Sequence, residues 1–566
     1  MKSLLAPFAL VLLAGCSSSS EAPNTPVDEN KKGDEKAEEH PVEAPKAGTA
    51  VPTSCRYLVP KSVEGTVVKC FDIIVPENRA KQDSKTIKIH AAVFPGKKEL
   101  PPTFELIGGP GGGGDPTVGL LAAGEAKAVE DYGFLRERGD YIIFDQRGIG
   151  RSEPNLSCAE EMASATMQSS FIGIMTKCRD RLVGQGIDLG AYTTYDNALD
   201  VDDMRKALGY EKMDLHSISY GTLLALEIMR HRPDAVHAVI VDGVLPPEAL
   251  LISDTPRTID ENLTRIFNGC AGQSACKTAF PDLEGSLLSL QQKLETKPLE
   301  AQGDYMDWYS FAGMLGGAMY DPEGIKRIPL WVNDFNARGN AAFDDFIKAE
   351  DSMMGGPGGE TVPPLVAEVY EAMDKLNGTI AGEKYLGMND GMYTSVTCSD
   401  SGQYEDLDKA ITEVKKLRPA FQEVEQIKEQ FEICAMWPKS EKRPTTKQAV
   451  TSAIPTLSMG GEFDPVTPSY WAEQVSKTLS QSQFVLEKAL GHGSMDACAR
   501  QQKSAFLADP LKKVDTTCSS ERSLTFVTSF APQGNAFHSA KRFTQRPKPI
   551  SIAASIRPNV IVRPIR

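Results

Sequence analysis

Apolar positions along the chain fall into short runs with two spacings. TVVKCFDIIVP and the alternating TIKIHAAVFP come first and predict an early antiparallel pair of strands. PTFELIGG, YIIFDQRG, MDLHSI and AVIVDGV follow, each bounded by Gly, Pro or Asp, as buried parallel strands are. Between them, NALDVDDMRKALG (Asn197 to Gly209) and TLLALEIMR (Thr222 to Arg230) have helical character. The second is apolar nearly all round, which predicts a helix buried against a sheet. Strands alternating with helices predict a mostly parallel, doubly wound α/β sheet.

After Asp242-Gly-Val-Leu-Pro-Pro247 the pattern changes to amphipathic helical stretches with few strand-like runs. Strand character returns in IPTLSMG, from Ile454, and QFVLE, from Gln483. The economical organisation is one sheet domain, residues 51–247 and 452–520, interrupted by a helical insertion at 248–451. Residues 521–566 form a basic C-terminal tail, and no internal repeat is visible.

The N-terminus changes the picture. MKSLLAPFALVLLAGC has a basic start, an apolar run too short to span a bilayer, and small residues before Cys16. Residues 1–15 read as a signal peptide, and Leu-Ala-Gly-Cys16 resembles the bacterial lipobox. That predicts an exported protein lipidated at Cys16. Ser17 in place of aspartate favours the outer membrane. Residues 16–50, rich in Ser, Pro, Glu and Lys, bury too little apolar surface to fold and read as a flexible tether.

A net charge of -15 argues against a nucleic-acid partner. Ten cysteines beyond Cys16 point to disulfides in an exported chain. Their order suggests the pairs Cys55–Cys70, Cys158–Cys178, Cys270–Cys276, Cys398–Cys434 and Cys498–Cys518. With no paired C-x-x-C and scattered histidines, no metal site and no cofactor is expected.

The candidate chemistry begins in DLHSISYGT, from Asp214. A nucleophile elbow, G-x-S-x-G, puts serine on a strained strand-to-helix turn with small residues two before and two after. Ser219 has Ser217 and Gly221 in those places; with Ser217 as nucleophile, Leu215 would be too large. A serine needs a base, and the base needs an orienting acid. His492 lies in a Gly-flanked loop after a strand, where a base belongs, whereas His538 lies in the basic tail. Asp464, in GEFDPVTP, precedes a proline and is the acid; Glu462 is the fallback, and Asp496 breaks the Ser–Asp–His order. Backbone donors for an oxyanion are offered by Gly108, Gly109, Gly111 and Gly112, with the Tyr220 amide as the second partner. A phosphate loop is the competing reading, but no Gly-Lys-Ser/Thr follows.

Together GGPGGGG (108–114), DQRGIGRS (145–152), SISYGT (217–222), GEFDPVTP (461–468) and GHG (491–493) resemble the proline iminopeptidase and tripeptidyl aminopeptidase family of serine exopeptidases. The resemblance implies an α/β-hydrolase fold, with a mostly parallel eight-stranded sheet and a large helical cap. It implies a serine aminopeptidase releasing proline or short peptides, such as tripeptides, from substrates with a free N-terminus. It makes Asp145 and Arg147 supports behind the oxyanion loop. Cap carboxylates would hold the substrate ammonium, with Asp400 of Cys-Ser-Asp400 as one candidate. Two positions depart from the family pattern: Ile107 stands where a histidine often precedes the glycines, and Ser217 replaces the first elbow glycine. An esterase or amidase on the same scaffold, and a non-catalytic binding lipoprotein, are the alternatives.

Overall fold

A computed structural model describes residues 46–529 apart from 98, 167–168 and 355–361. The signal peptide, Cys16, most of the tether and His538 lie outside the described residues.

Nine strands form one sheet: β1 (Thr49–Thr53), β2 (Lys69–Pro76), β3 (Thr86–Phe94), β4 (Thr103–Leu106), β5 (Tyr141–Phe144), β6 (Met213–Ile218), β7 (Val236–Asp242), β8 (Thr456–Gly461) and β9 (Ser482–Glu487). Their order is β1-β2-β3-β5-β4-β6-β7-β8-β9. The β1–β2, β2–β3 and β3–β5 pairs are antiparallel, and every pair from β5–β4 to β8–β9 is parallel. The expected eight strands are therefore nine. The extra strand, TAVPT, pairs with β2 and begins inside the segment read as tether, because its weak alternation becomes a strand only beside a ready edge.

The sheet's two faces separate with period two. Ile142 and Phe144 of β5 pack on one side with Leu215 and the helix α1 (Thr194–Ala207); Tyr141 and Ile143 pack on the other with the helix Ala497–Ala508. The helix α2 (Tyr220–His231), beneath the sheet, is buried from Tyr220 through Met229. At about 25 cal/mol per Å², such continuous apolar burial dominates the stability of the core.

Between β7 and β8 the chain builds the helical insertion. It includes α3 (Leu251–Ala271), α4 (Trp308–Ala318) and α5 (Val424–Met436), and a short hairpin, Leu299–Ala301 with Asp304–Met306. The insertion has its own apolar cluster, centred on residues such as Phe311, Leu315 and Phe335. The segment read as tail starts later than expected: Leu524 and Phe526 are buried in that cluster, and Gln273 Nε2 donates to the Leu524 carbonyl at 2.6 Å. Only from residue 530 does the basic segment leave the described residues.

Candidate active site

Ser219 sits between β6 and α2 with φ 57° and ψ −131°, one of three described non-glycine residues at positive φ. A serine holds so unfavourable a backbone only where its surroundings impose it. Its amide donates to the Asp242 carbonyl at 3.1 Å, which ties the turn to the end of β7. Gly221 must be glycine, because a Cβ there would lie 1.9 Å from the Leu106 carbonyl oxygen of β4.

The expected acid and base lie in the loops after the next two strands of the parallel sheet. Asp464 follows β8 and is fully buried. Its Oδ1 accepts from the amides of Val466 (2.9 Å) and Thr467 (2.7 Å). Its Oδ2 accepts from Thr467 Oγ1 at 2.7 Å and lies 2.8 Å from His492 Nδ1. His492 follows β9; its amide donates to the Tyr320 carbonyl at 3.1 Å, and its ring meets the Tyr320 ring edge-on at 4.8 Å. Burial disfavours the imidazolium, but the charge and hydrogen bond of Asp464, with Asp242 behind, outweigh it and raise His492 above its ordinary pKa.

Gly243 lies beside both the Asp464–His492 pair and the residue that holds the Ser219 turn. A Cβ on Gly243 would lie 3.3 Å from His492 Cε1 and 3.4 Å from Asp464 Oδ2, while the neighbouring Asp242 carbonyl holds Ser219. On the other side Gly493 is packed against Ile218, the residue before Ser219. Beneath the histidine loop, Asp242 Oδ2 accepts from Ser494 N (2.9 Å) and Lys503 Nζ (2.8 Å), and that ion pair is buried. Removing one partner of such a pair costs about 3–5 kcal/mol, so the pair fixes the loop.

The glycine loop runs beside Ser219. A Cβ on Gly108 would stand 2.7 Å from Ser219 Cβ and 3.3 Å from its Oγ, so only glycine permits the approach. Gly109 and Gly111 take φ of 122° and 111°. The Gly112 amide turns inward to the Gly108 carbonyl at 3.2 Å, which removes it from the set of expected oxyanion donors. Asp145 holds the end of this loop, accepting from the Gly114 amide at 2.6 Å and, through its other oxygen, from Arg151 N at 2.6 Å. Arg147 works further away: its guanidinium grips Asp200 of α1 with two 2.7 Å bonds.

Other expected residues take different places. The Asp400 carboxylate accepts from the Thr194 amide (2.8 Å) and Thr194 Oγ1 (2.6 Å), and that hydroxyl lies 3.0 Å from the Tyr220 phenol. Burial pushes Asp400 up to about 6. Through Oδ2 it braces the residue after Ser219, and it does not line the cavity within the insertion, so it is corrected from ammonium ligand to structural support. Glu462 accepts from the Ala489 amide at 2.9 Å, and Asp496 caps the helix Ala497–Ala508. All five suggested disulfides are formed: Cys55–Cys70, Cys158–Cys178, Cys270–Cys276, Cys398–Cys434 and Cys498–Cys518.

A cavity lies within the insertion and reaches neighbours of Asp464 and His492. Pro465 and Val466, beside Asp464, and Tyr320, against His492, form its inner end. The walls come from α3 (Ile252, Thr255, Ile259), α4 and its continuation, and the start of α5. Two polar side chains in this largely apolar space were not found by sequence reasoning: Glu423 and Gln430. Burial, partly opposed by a hydrogen bond from Gln426, pushes the Glu423 carboxyl up to about 7. Their sequence signal is weak, since each is one polar residue among many on a mixed helix.

Residues 420–518, which include Glu423, Gln430, Asp464 and His492, match the family model described as TAP-like protein. The chain is similar to the serine protease Hip1 of Mycobacterium tuberculosis, 24% identical over 456 residues, covering 75% of this chain and 82% of the relative. It is similar to the tripeptidyl aminopeptidase of Streptomyces coelicolor, 23% identical over 439 residues, covering 71% and 72%. The putative hydrolase YuaR of Escherichia coli is 22% identical over 411 residues, covering 68% and 74%. With the parallel sheet, the strained serine turn and the Asp–His pair following it in chain order, the chain has the α/β-hydrolase fold, and its residues 420–518 are similar to the TAP-like family.

Proposed function

We propose that this serine peptidase is an aminopeptidase that releases short N-terminal fragments of peptides through an acyl-enzyme. Ser219 Oγ attacks the scissile carbonyl while His492 Nε2 takes its proton, and Asp464 stabilises the imidazolium from Nδ1. The amides of Gly109 and Tyr220 hold the oxyanion: Gly109 follows the residue that touches Ser219, and Tyr220 begins a helix at the serine. Collapse expels the leaving amine, which takes the proton from His492. Water, deprotonated by the same histidine, then cleaves the acyl-enzyme and returns Ser219.

The observation that carries the aminopeptidase reading is Glu423. An acid in an apolar cavity whose lining includes neighbours of Asp464 and His492 is costly to ionise alone, which is why its pKa is pushed up. An arriving α-ammonium restores the ion pair, so binding energy is greatest for a substrate with a free N-terminus. Peptide amides with free and acetylated N-termini test this. Wild type favours the free amine and Glu423→Gln loses the preference; equal turnover of both by wild type, or ester turnover alone, refutes the reading.

We also propose that the protein is exported and anchored by lipid on Cys16. The lipobox-like end of the leader and five disulfides, which persist in oxidising compartments, support this. Cys16→Ser is expected to move the protein from the membrane to the soluble fraction; unchanged membrane association overturns the anchor.

A further inference from the structure

Two faces of the cavity have contrasting chemistry. Tyr309, Ala312, Gly313, Gly316 and Tyr320 line it at spacings of three or four, so they form one face of α4 and its continuation. A Cβ built on either Gly313 or Gly316 would meet nothing within 4 Å. Glu423, Gln426, Ile427 and Gln430 line it with the same spacing, as one face at the start of α5. Gln426 Nε2 donates to the Tyr309 phenol at 2.8 Å, joining the two faces where α4 is farthest from His492.

Gln430 differs from its neighbour. The residue is 7% exposed and lines the cavity, and among the described residues no side-chain hydrogen bond engages its amide. Its polar atoms are not among the fully buried unpartnered ones, so they reach the cavity, where a ligand can replace solvent as their partner. A carboxamide presents one acceptor and two donors, which matches the N–H and C=O of a peptide unit.

We propose that Gln430 binds the main chain of the substrate's acyl portion, and that Gly313 and Gly316 hold open the space for its side chains. The inference rests on the peptidase reading and adds the groups that select a peptidyl over a small acyl chain. Gln430 reads the peptide unit whatever its terminal charge, while Glu423 reads the charge alone. The open space over the two glycines admits bulky side chains.

The test compares labelling rates of Ser219 by a dipeptidyl phosphonate, with its N-terminus free or acetylated, and by a small alkyl fluorophosphonate. The ratio of peptidyl to small-probe rate is expected to fall about tenfold or more in Gln430→Leu, for the free and the acetylated probe alike. In Gly316→Leu it is expected to fall at least as far, and further for a probe with leucine than for one with alanine beside the phosphonate. Because the small probe reports a folded, reactive serine, a folding defect moves both rates and leaves the ratio. A ratio within twofold of wild type in Gln430→Leu overturns the main-chain role, and an unchanged ratio in Gly316→Leu overturns the glycine gate. If wild type labels equally with free and acetylated probes, the amine reading of Glu423 fails while both ratios still decide this one.

Discussion

Ser217 Oγ donates to the carbonyl of Ile240 at 2.6 Å, across the β6–β7 pair where Ser217 lies opposite Val241. The side chain that replaces the first elbow glycine is therefore turned into the sheet, away from the reacting centre. The turn accepts a serine there because its hydroxyl finds a buried acceptor and its bulk stays small.

This relationship separates the two serines of the elbow. Ser217→Ala removes one buried hydrogen bond and is expected to cost about 1 kcal/mol of stability, seen as a small fall in Tm. Ser219→Ala is expected to keep the fold and lose turnover by about 10³-fold or more, with no fluorophosphonate labelling. Labelling that survives in Ser219→Ala would remove it as nucleophile.

Asp464→Asn tests the second link. Its carboxylate accepts from two amides, one hydroxyl and His492, and an amide nitrogen placed at Oδ2 turns a donor towards Nδ1. The imidazole is then held in the wrong tautomer, and kcat is expected to fall by about 10⁴-fold with little change in KM. The fallback acid is tested in the same way: Glu462→Gln keeps an acceptor for the Ala489 amide and is expected to retain most activity. A larger loss in Glu462→Gln than in Asp464→Asn would reverse the assignment.

Elements with strong local patterns were legible in the sequence. β4 to β9, the elbow and the Ser–Asp–His order all follow from short apolar runs with turn residues at their ends. β1 was missed because an edge strand draws its stability from its partner, and the packed stretch around Leu524 and Phe526 because two apolar residues make no period. The cavity groups were harder still. Asp400 and Glu423 are both acids pushed upward by burial, yet one is satisfied by Thr194 and the other faces open space. Tertiary contacts alone distinguish them.

Cys398–Cys434 joins α5 to the segment Thr397–Ser401 that carries Asp400. It closes a loop of 36 residues, for which chain entropy gives about 4 kcal/mol. The double variant Cys398→Ala, Cys434→Ala is expected to lower Tm clearly. It should also reduce turnover of peptides more than of small esters, since α5 carries Gln430 and starts beside Glu423. Equal losses on both substrates would mean that the bridge supports the fold without shaping the cavity.

The pH dependence of kcat/KM should differ between free and acetylated peptides. His492 acts as a base only when neutral, and its raised pKa puts the acid limb above the ordinary imidazole value of about 6.5. An acetylated peptide senses that proton alone, so its kcat/KM rises with pH to a plateau. A free-amine peptide also requires ionised Glu423, whose carboxyl is pushed up to about 7 in the empty cavity. Falling pH protonates both groups, charging His492 and neutralising Glu423, so its acid limb should steepen towards two protons. Its own α-amine, with a pKa of about 8, loses charge as pH rises and adds an alkaline fall. Glu423→Gln should reduce free-amine kcat/KM by about 10- to 100-fold, the equivalent of one charged hydrogen bond. The variant's acid limb should return to one proton, with the acetylated substrate little affected. Superimposable profiles for the two wild-type substrates would show that no carboxylate in the cavity senses the substrate's N-terminus.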